Sequence, residues 1–131
     1  DRGSTKESKS SGCGHHNFPM SDIQELVDLL VEFRDERDWG QFHDSKNLAL
    51  ALSIEAAELN ELFLWKKDAE SEQIDRERLK EELADVFAYA LMLAEKNGLS
   101  VSEIVKEKII KNTQKYPVEE SKGTSAKYKK I

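Results

Sequence analysis

Between Asn47 and Lys66 the chain reads as a helix that is apolar on nearly every side and carries a glutamate inside its apolar stripe. At about 100° per residue, Leu48, Ala51, Leu52, Leu59 and Leu62 fall along one side. Glu55 falls in the middle of that stripe and Glu58 at its edge, with Trp65 beside it. A carboxylate in such a place must be paired, protonated or metal-bound, because a lone buried charge is costly. The opposite side is not polar either, since Leu50, Ile54 and Leu64 lie there. A helix apolar on both sides must be covered on both, which implies another subunit. These two demands restrict the fold more than any other feature of the sequence.

A second segment repeats the pattern. From Asp75 to Asn97 a helical stripe runs through Leu79, Leu83, Val86, Ala90, Leu93 and Ala94. Glu82, Asp85 and Tyr89 lie along one edge of it, whereas Glu81 and Glu95 fall outside as solvated charges. Each helix therefore carries an acidic pair three residues apart, a spacing that makes the two side chains neighbours. If the two edges face each other, four carboxylates share one small volume. Two like charges about 4 Å apart repel by roughly 4 kcal/mol at an effective dielectric near 20, so without a cation some would stay protonated. A divalent ion with a preference for oxygen, such as Mg²⁺, would balance them. Glu-x-x-Glu by itself is common as a solvated face, so spacing and phase leave both readings open. A di-iron bundle needs Glu-x-x-His pairs, and the one histidine of the helical part, His43, lies in a loop. No glycine-rich phosphate loop, Ser/His/Asp set or candidate catalytic cysteine is found.

The remaining segments predict two further helices. Ser21 with Gln24, and Ser100 with Glu103, form capping boxes. The first opens a helix ending near Glu36, with Ile23, Leu26, Val27, Leu30 and Phe33 on one stripe. The second opens a helix that Pro117 stops. Gly98 is placed to end the third helix, and residues 37–46 read as an aromatic-rich loop. Two prolines and six glycines in 131 residues leave little punctuation for an all-β fold. The expected architecture is all-α, a four-helix bundle protomer that packs against another subunit.

Residues 1–19 are expected to be a flexible leader foreign to the domain, with a natural start at Met20. Residues 20–117 form the helical domain and 118–131 a basic tail. Residues 1–20 carry net +1 and 118–131 net +2 against −6 overall, so residues 21–117 carry −9. So acidic a domain is repelled by polyanions, which argues against polymeric nucleic acid as a partner. No apolar run is long enough for a membrane span, and no secretory leader opens the chain. With a single cysteine, Cys13, neither an internal disulfide nor a Cys-rich zinc site is available. The expected setting is cytoplasmic.

Other side chains suit either a ligand or plain structure. Lys108, Asn112 and Lys115 share one side of the fourth helix, as a solvated basic face or as phosphate contacts. Trp39, Phe42, Trp65 and Tyr89 suit core packing or a stacking box for a base. Trp39, in a polar loop before Gly40, is the least natural core residue among them.

At this level of detail the chain resembles the MazG-like, all-α nucleotide pyrophosphohydrolases, in their dCTP pyrophosphatase branch. The resemblance is carried by Glu55-x-x-Glu58 followed by Glu82-x-x-Asp85. It extends to the strings Glu36-Arg37-Asp38-Trp39-Gly40-Gln41-Phe42-His43, Asn47-Leu48 and Glu55 to Trp65, then Glu81 to Val86 with Tyr89. Lys108, Asn112, Tyr116, Pro117 and Lys127-Tyr128 continue it, so that about residues 22–130 are covered. The resemblance implies hydrolysis of a nucleoside triphosphate between the α and β phosphates, giving a monophosphate and pyrophosphate. It also implies Mg²⁺, with Mn²⁺ as a substitute, on Glu55, Glu58, Glu82 and Asp85. Glu55 or Glu58 would be the catalytic base. Lys108, Asn112 and Lys115 would meet phosphates, and Trp39, Phe42, His43, Trp65 and Tyr89 would surround base and sugar. The implied role is house-cleaning of the nucleotide pool, with dCTP among the best substrates, by a homo-oligomer of all-α bundles, a dimer or tetramer. One departure stands out: dCTP-specific relatives can carry a histidine in helix one where this chain has Leu30, which offers a base no hydrogen bond. The rival to an enzyme is a helical regulator or scaffold that keeps the fold.

Overall fold

The computed structural model describes residues 21–125. Residues 1–20, with the expected leader, and residues 126–131, with Lys127 and Tyr128, lie outside the described residues. Five helices follow one another: α1 (Asp22–Glu36), α2 (Ser45–Glu61), α3 (Arg76–Lys96), α4 (Val101–Lys115) and the short α5 (Val118–Ser121). No strand occurs among the described residues, so the expected all-α class is what is found.

The helix ends follow from local chemistry. Ser21 accepts a hydrogen bond from the Gln24 backbone N–H at 3.1 Å, as the capping motif predicts. The return half of that box is not made, because the Gln24 side chain donates to Asp28 instead, at 2.9 Å. The second helix starts two residues earlier than expected, because Asp44 is its N-cap and accepts from the Asn47 N–H at 2.7 Å. It also ends earlier, at Glu61 rather than Lys66, as the chain tightens into turns through Leu62–Trp65. Trp65 there adopts φ 65°, a left-handed conformation that few non-glycine residues accept. Asp75 caps α3 by accepting from the N–H groups of Glu77 and Arg78. At its far end Gly98, at φ 66°, closes a Schellman motif, with Leu99 N–H donating to Ala94 and Gly98 N–H to Glu95. Ser100 caps α4, and Pro117 follows its end and opens α5, a turn that the sequence reading did not foresee.

α2 and α3 pack against each other as the central hairpin, and α1 lies against α3. The core is thin: Leu48, Leu62, Leu91, Met92 and Ala94 are its buried apolar residues. Arg34 of α1 pairs with Glu95 of α3 at 3.3 Å, tying the two helices across their contact. Along α4 only Val101 and Asn112 are even half-buried. Leu50, Ile54 and Leu64, which the periodicity placed opposite the core stripe, are each more than half exposed. No helix of the described residues is long and apolar enough to cross a membrane.

Candidate active site

The contact of α2 with α3 brings the two acidic pairs together. Carboxylate oxygens of Glu55, Glu82 and Asp85 all lie within 4.8 Å of one another. The Glu58 carboxyl reaches both Glu55 and Glu82 closely enough to share a hydrogen bond with each. Glu55 and Glu82 are half-buried, whereas Glu58 and Asp85 are exposed. Burial raises the Glu55 carboxyl above the ordinary carboxylate range, and the nearby charges of Glu58, Asp85 and Glu82 add to the rise. Glu82 is raised in the same way, first by burial and then by Glu58. One oxygen of Glu82, Oε1, is buried without any hydrogen-bond partner. An orphaned carboxylate oxygen facing two further carboxylates is what a hard divalent cation would satisfy. The donor set is all oxygen, which fits Mg²⁺ or Mn²⁺ rather than a thiolate- or imidazole-seeking metal.

The cluster opens onto a groove between α1 and α3 of about 680 Å³. Asp85 stands on its wall, with Tyr89 one turn further along α3. The Tyr89 hydroxyl is also raised, by burial and then by the charges of Glu55 and Asp85, which places the phenol beside the acidic cluster. His43 meets Tyr89 edge-on, with ring centroids 6.5 Å apart, and its Nδ1 is buried without a partner. Trp39 enters the lining from a short 3₁₀ turn, Trp39–Phe42, that the sequence reading left as loop. Asp38 at φ 57° turns the chain into it. Trp39 is held edge-on by Phe33 at 5.7 Å, and the Arg37 guanidinium stacks 3.7 Å over the Phe33 ring. Apart from Arg34, the rest of the wall is apolar, with Leu26, Leu29 and Leu30 of α1 and Phe87 and Met92 of α3.

Of the residues singled out in the sequence, the structure thus gathers Glu55, Glu58, Glu82 and Asp85, and places Trp39, His43 and Tyr89 on one groove beside them. It does not bring Phe42 or Trp65 into that groove. Trp65 is 89% exposed, at the turn after α2. Lys108, Asn112 and Lys115 do not border the groove either, and Lys115 stands over the ring of its neighbour Tyr116. Sequence reasoning passed over Arg34, which lines the groove. Its signal was available, since it follows Leu30 by four residues on the apolar stripe of α1.

An all-α protomer with a carboxylate cluster suited to a divalent cation, beside an apolar groove, defines the class of protein. The MazG-like family profile matches residues 50–131. The chain is 39% identical to dCTP pyrophosphatase 1 of Rattus norvegicus, over 96% of this chain and 78% of the rat protein. It is 36% identical to dCTP pyrophosphatase 1 of Homo sapiens, over 99% and 80%. The crystal structure of a pyrophosphatase from Archaeoglobus fulgidus superposes with a TM-score of 0.71 at 40% identity, over 80% of this chain and 98% of that one. The chain belongs to the MazG-like family.

Proposed function

We propose that the chain hydrolyses nucleoside triphosphates to a monophosphate and pyrophosphate, with dCTP among its best substrates. The observation that carries this reading is the convergence of Glu55, Glu82 and Asp85, with Glu58 beside them, next to an apolar groove whose wall includes Asp85. The names of its relatives, dCTP pyrophosphatase 1 and an archaeal pyrophosphatase, point the same way. The four carboxylates would hold Mg²⁺, which supplies positive charge against the triphosphate and makes water a better nucleophile at neutral pH.

The chain's own residues would do the rest. Glu55 and Glu58, three residues apart on α2, orient a water and take its proton; Glu55 suits this best because its surroundings hold its proton affinity high. The groove accepts the nucleoside and keeps bulk water from it. Tyr89 stands between the acidic cluster and the groove, where the sugar would lie. Its flat ring leaves a ribose 2′-hydroxyl unsatisfied and so favours deoxynucleotides. Trp39, held edge-on by Phe33, offers a face for stacking. Phe42, Trp65, Lys108, Asn112 and Lys115 join the substrate on this reading from outside the groove of the protomer. We further infer a homo-oligomer, in which the exposed Leu50, Ile54 and Leu64 are covered, and a cytoplasmic setting. The direct test is pyrophosphate release from dCTP with Mg²⁺ and with a chelator. Release that requires the metal is expected. No release under either condition would overturn the reading.

A further inference from the structure

Among the residues lining the groove, Arg34 alone carries a fixed positive charge, and the reaction proposed above gives it no task. It lies one helical turn beyond Leu30 on the same face of α1, and both line the groove. Its side chain is only 17% exposed. Nε donates to Asp35 Oδ1 at 2.9 Å and Nη1 to Glu95 Oε1 at 3.3 Å. The backbone of the Trp39–Phe42 turn closes over its stem, so that a Cβ at Gly40 would stand 3.6 Å from Nε. These contacts hold the planar head in place, and no acceptor among the described residues meets Nη2. Asp85 and Glu95 are ten residues apart on α3, about 15 Å along the helix. The acidic cluster therefore marks one end of the groove and Arg34 the other. A nucleotide with its phosphates at the cluster points its base toward Arg34.

We infer that Arg34 is the specificity-determining residue of this groove, donating to the adjacent N3 and O2 acceptors of a cytosine base. The inference rests on the triphosphate reading and adds the base edge that is recognised. A guanidinium offers donors only. Cytosine presents an unprotonated N3 beside O2, whereas thymine carries a proton on N3, which would face a donor. In an apolar groove that mismatch leaves the donor facing N3 unsatisfied, although O2 can still accept. A site built to hydrogen-bond a ligand rejects one that cannot answer it far more strongly than an apolar wall does. Arg34 thus supplies the polar contact that Leu30 does not.

The test is kcat and KM for dCTP and dTTP with the wild-type chain, R34M and R34K. Binding of dCMP and dTMP, read by tryptophan fluorescence with Mg²⁺ present, runs in parallel. The wild type is expected to favour dCTP over dTTP by about tenfold or more in kcat/KM. R34M should raise KM for dCTP about tenfold with kcat within about twofold, and leave dTTP unchanged, so that the ratio falls toward one. A merely structural role for Arg34 would lower both substrates together. R34K retains a cation for Glu95 and so guards against loss of the fold; its ratio should fall by about threefold or more. An unchanged ratio in either variant, or no preference in the wild type, overturns the assignment of Arg34 while leaving the pyrophosphohydrolase intact. A wild type that neither binds nor hydrolyses any deoxynucleotide overturns both.

Discussion

Glu55 is the residue on which most of the proposed chemistry depends. It is half-buried, it faces Glu82 and Asp85, and its carboxyl is held above its ordinary range by burial and by those neighbours. Changing it to glutamine keeps the shape and removes one negative charge. We expect Glu55→Gln to retain the helical fold by circular dichroism and to lose at least about a hundredfold in turnover, close to 2.7 kcal/mol of barrier. Near-normal pyrophosphate release from that variant would take Glu55 out of the site. Trp39 lends itself to a different measurement. Its ring is packed edge-on by Phe33 yet 43% exposed on the groove wall. Trp39→Ala should raise KM for dCTP with little change in kcat or in the requirement for metal. An unchanged KM would leave Trp39 without a stacking role. At this scale the sequence was informative wherever a polar residue broke an apolar phase. That irregularity marks Glu55, and applied to α1 it also marks Arg34.

The site exists because two helices pack, and its stability depends on pH for that reason. α2 and α3 press four carboxylates together, and two of them, Glu55 and Glu82, are held protonated to higher pH than in an unfolded chain. A folded-state pKa above the unfolded one stabilises the fold while the group is protonated, and that contribution is lost as the pH rises through the folded value. The metal-free protein should therefore melt at lower temperature near pH 8 than near pH 5 on this account. Mg²⁺ binds the charged form and should raise Tm more at the higher pH. Thermal melts with Mg²⁺ and with chelator at both pH values check this, and an equal metal effect at both would contradict it. The helix caps are separable from the site. Asp44 accepts from the Asn47 N–H at 2.7 Å, so Asp44→Ala should cost about 1 kcal/mol of stability, visible as a lower denaturation midpoint with Mg²⁺-dependent turnover retained.

The whole protomer is incompletely covered. Five buried apolar residues make a small core among the described residues, while Leu50 and Ile54 on α2, Leu64 just after it, and Val105, Ile109 and Ile110 on α4 stand more or nearly half exposed. A shallow hollow of about 530 Å³, lined by Ala56, Ala57 and Phe63 among others, lies along α2 and the turn after it. We propose that exposed apolar surface of this extent serves as an association face. Sedimentation at micromolar concentration should show an oligomer, and a 15.0 kDa species would leave these faces without an explanation.

Helical period and cap chemistry placed α1, α3 and α4 closely, because Ser21, Gly98, Ser100 and Pro117 act on backbone groups a few residues away, whereas both ends of α2 fell earlier than the periodicity put them. Phase alone put Glu55 and Glu58 on one edge of α2 and Glu82 and Asp85 on one edge of α3. Both are local properties, set by covalent geometry and hydrogen bonds within a turn or two. That the two edges face each other was decided by the packing of α2 on α3, which no periodicity contains. Packing also decided that Arg34 lines the groove while Trp65 turns away from it. The position of Trp65 hangs on a left-handed turn after α2, and that of Arg34 on Glu95, sixty-one residues further along the chain. Contacts over such separations depend on how whole helices seat against one another, and only the tertiary structure carries that information.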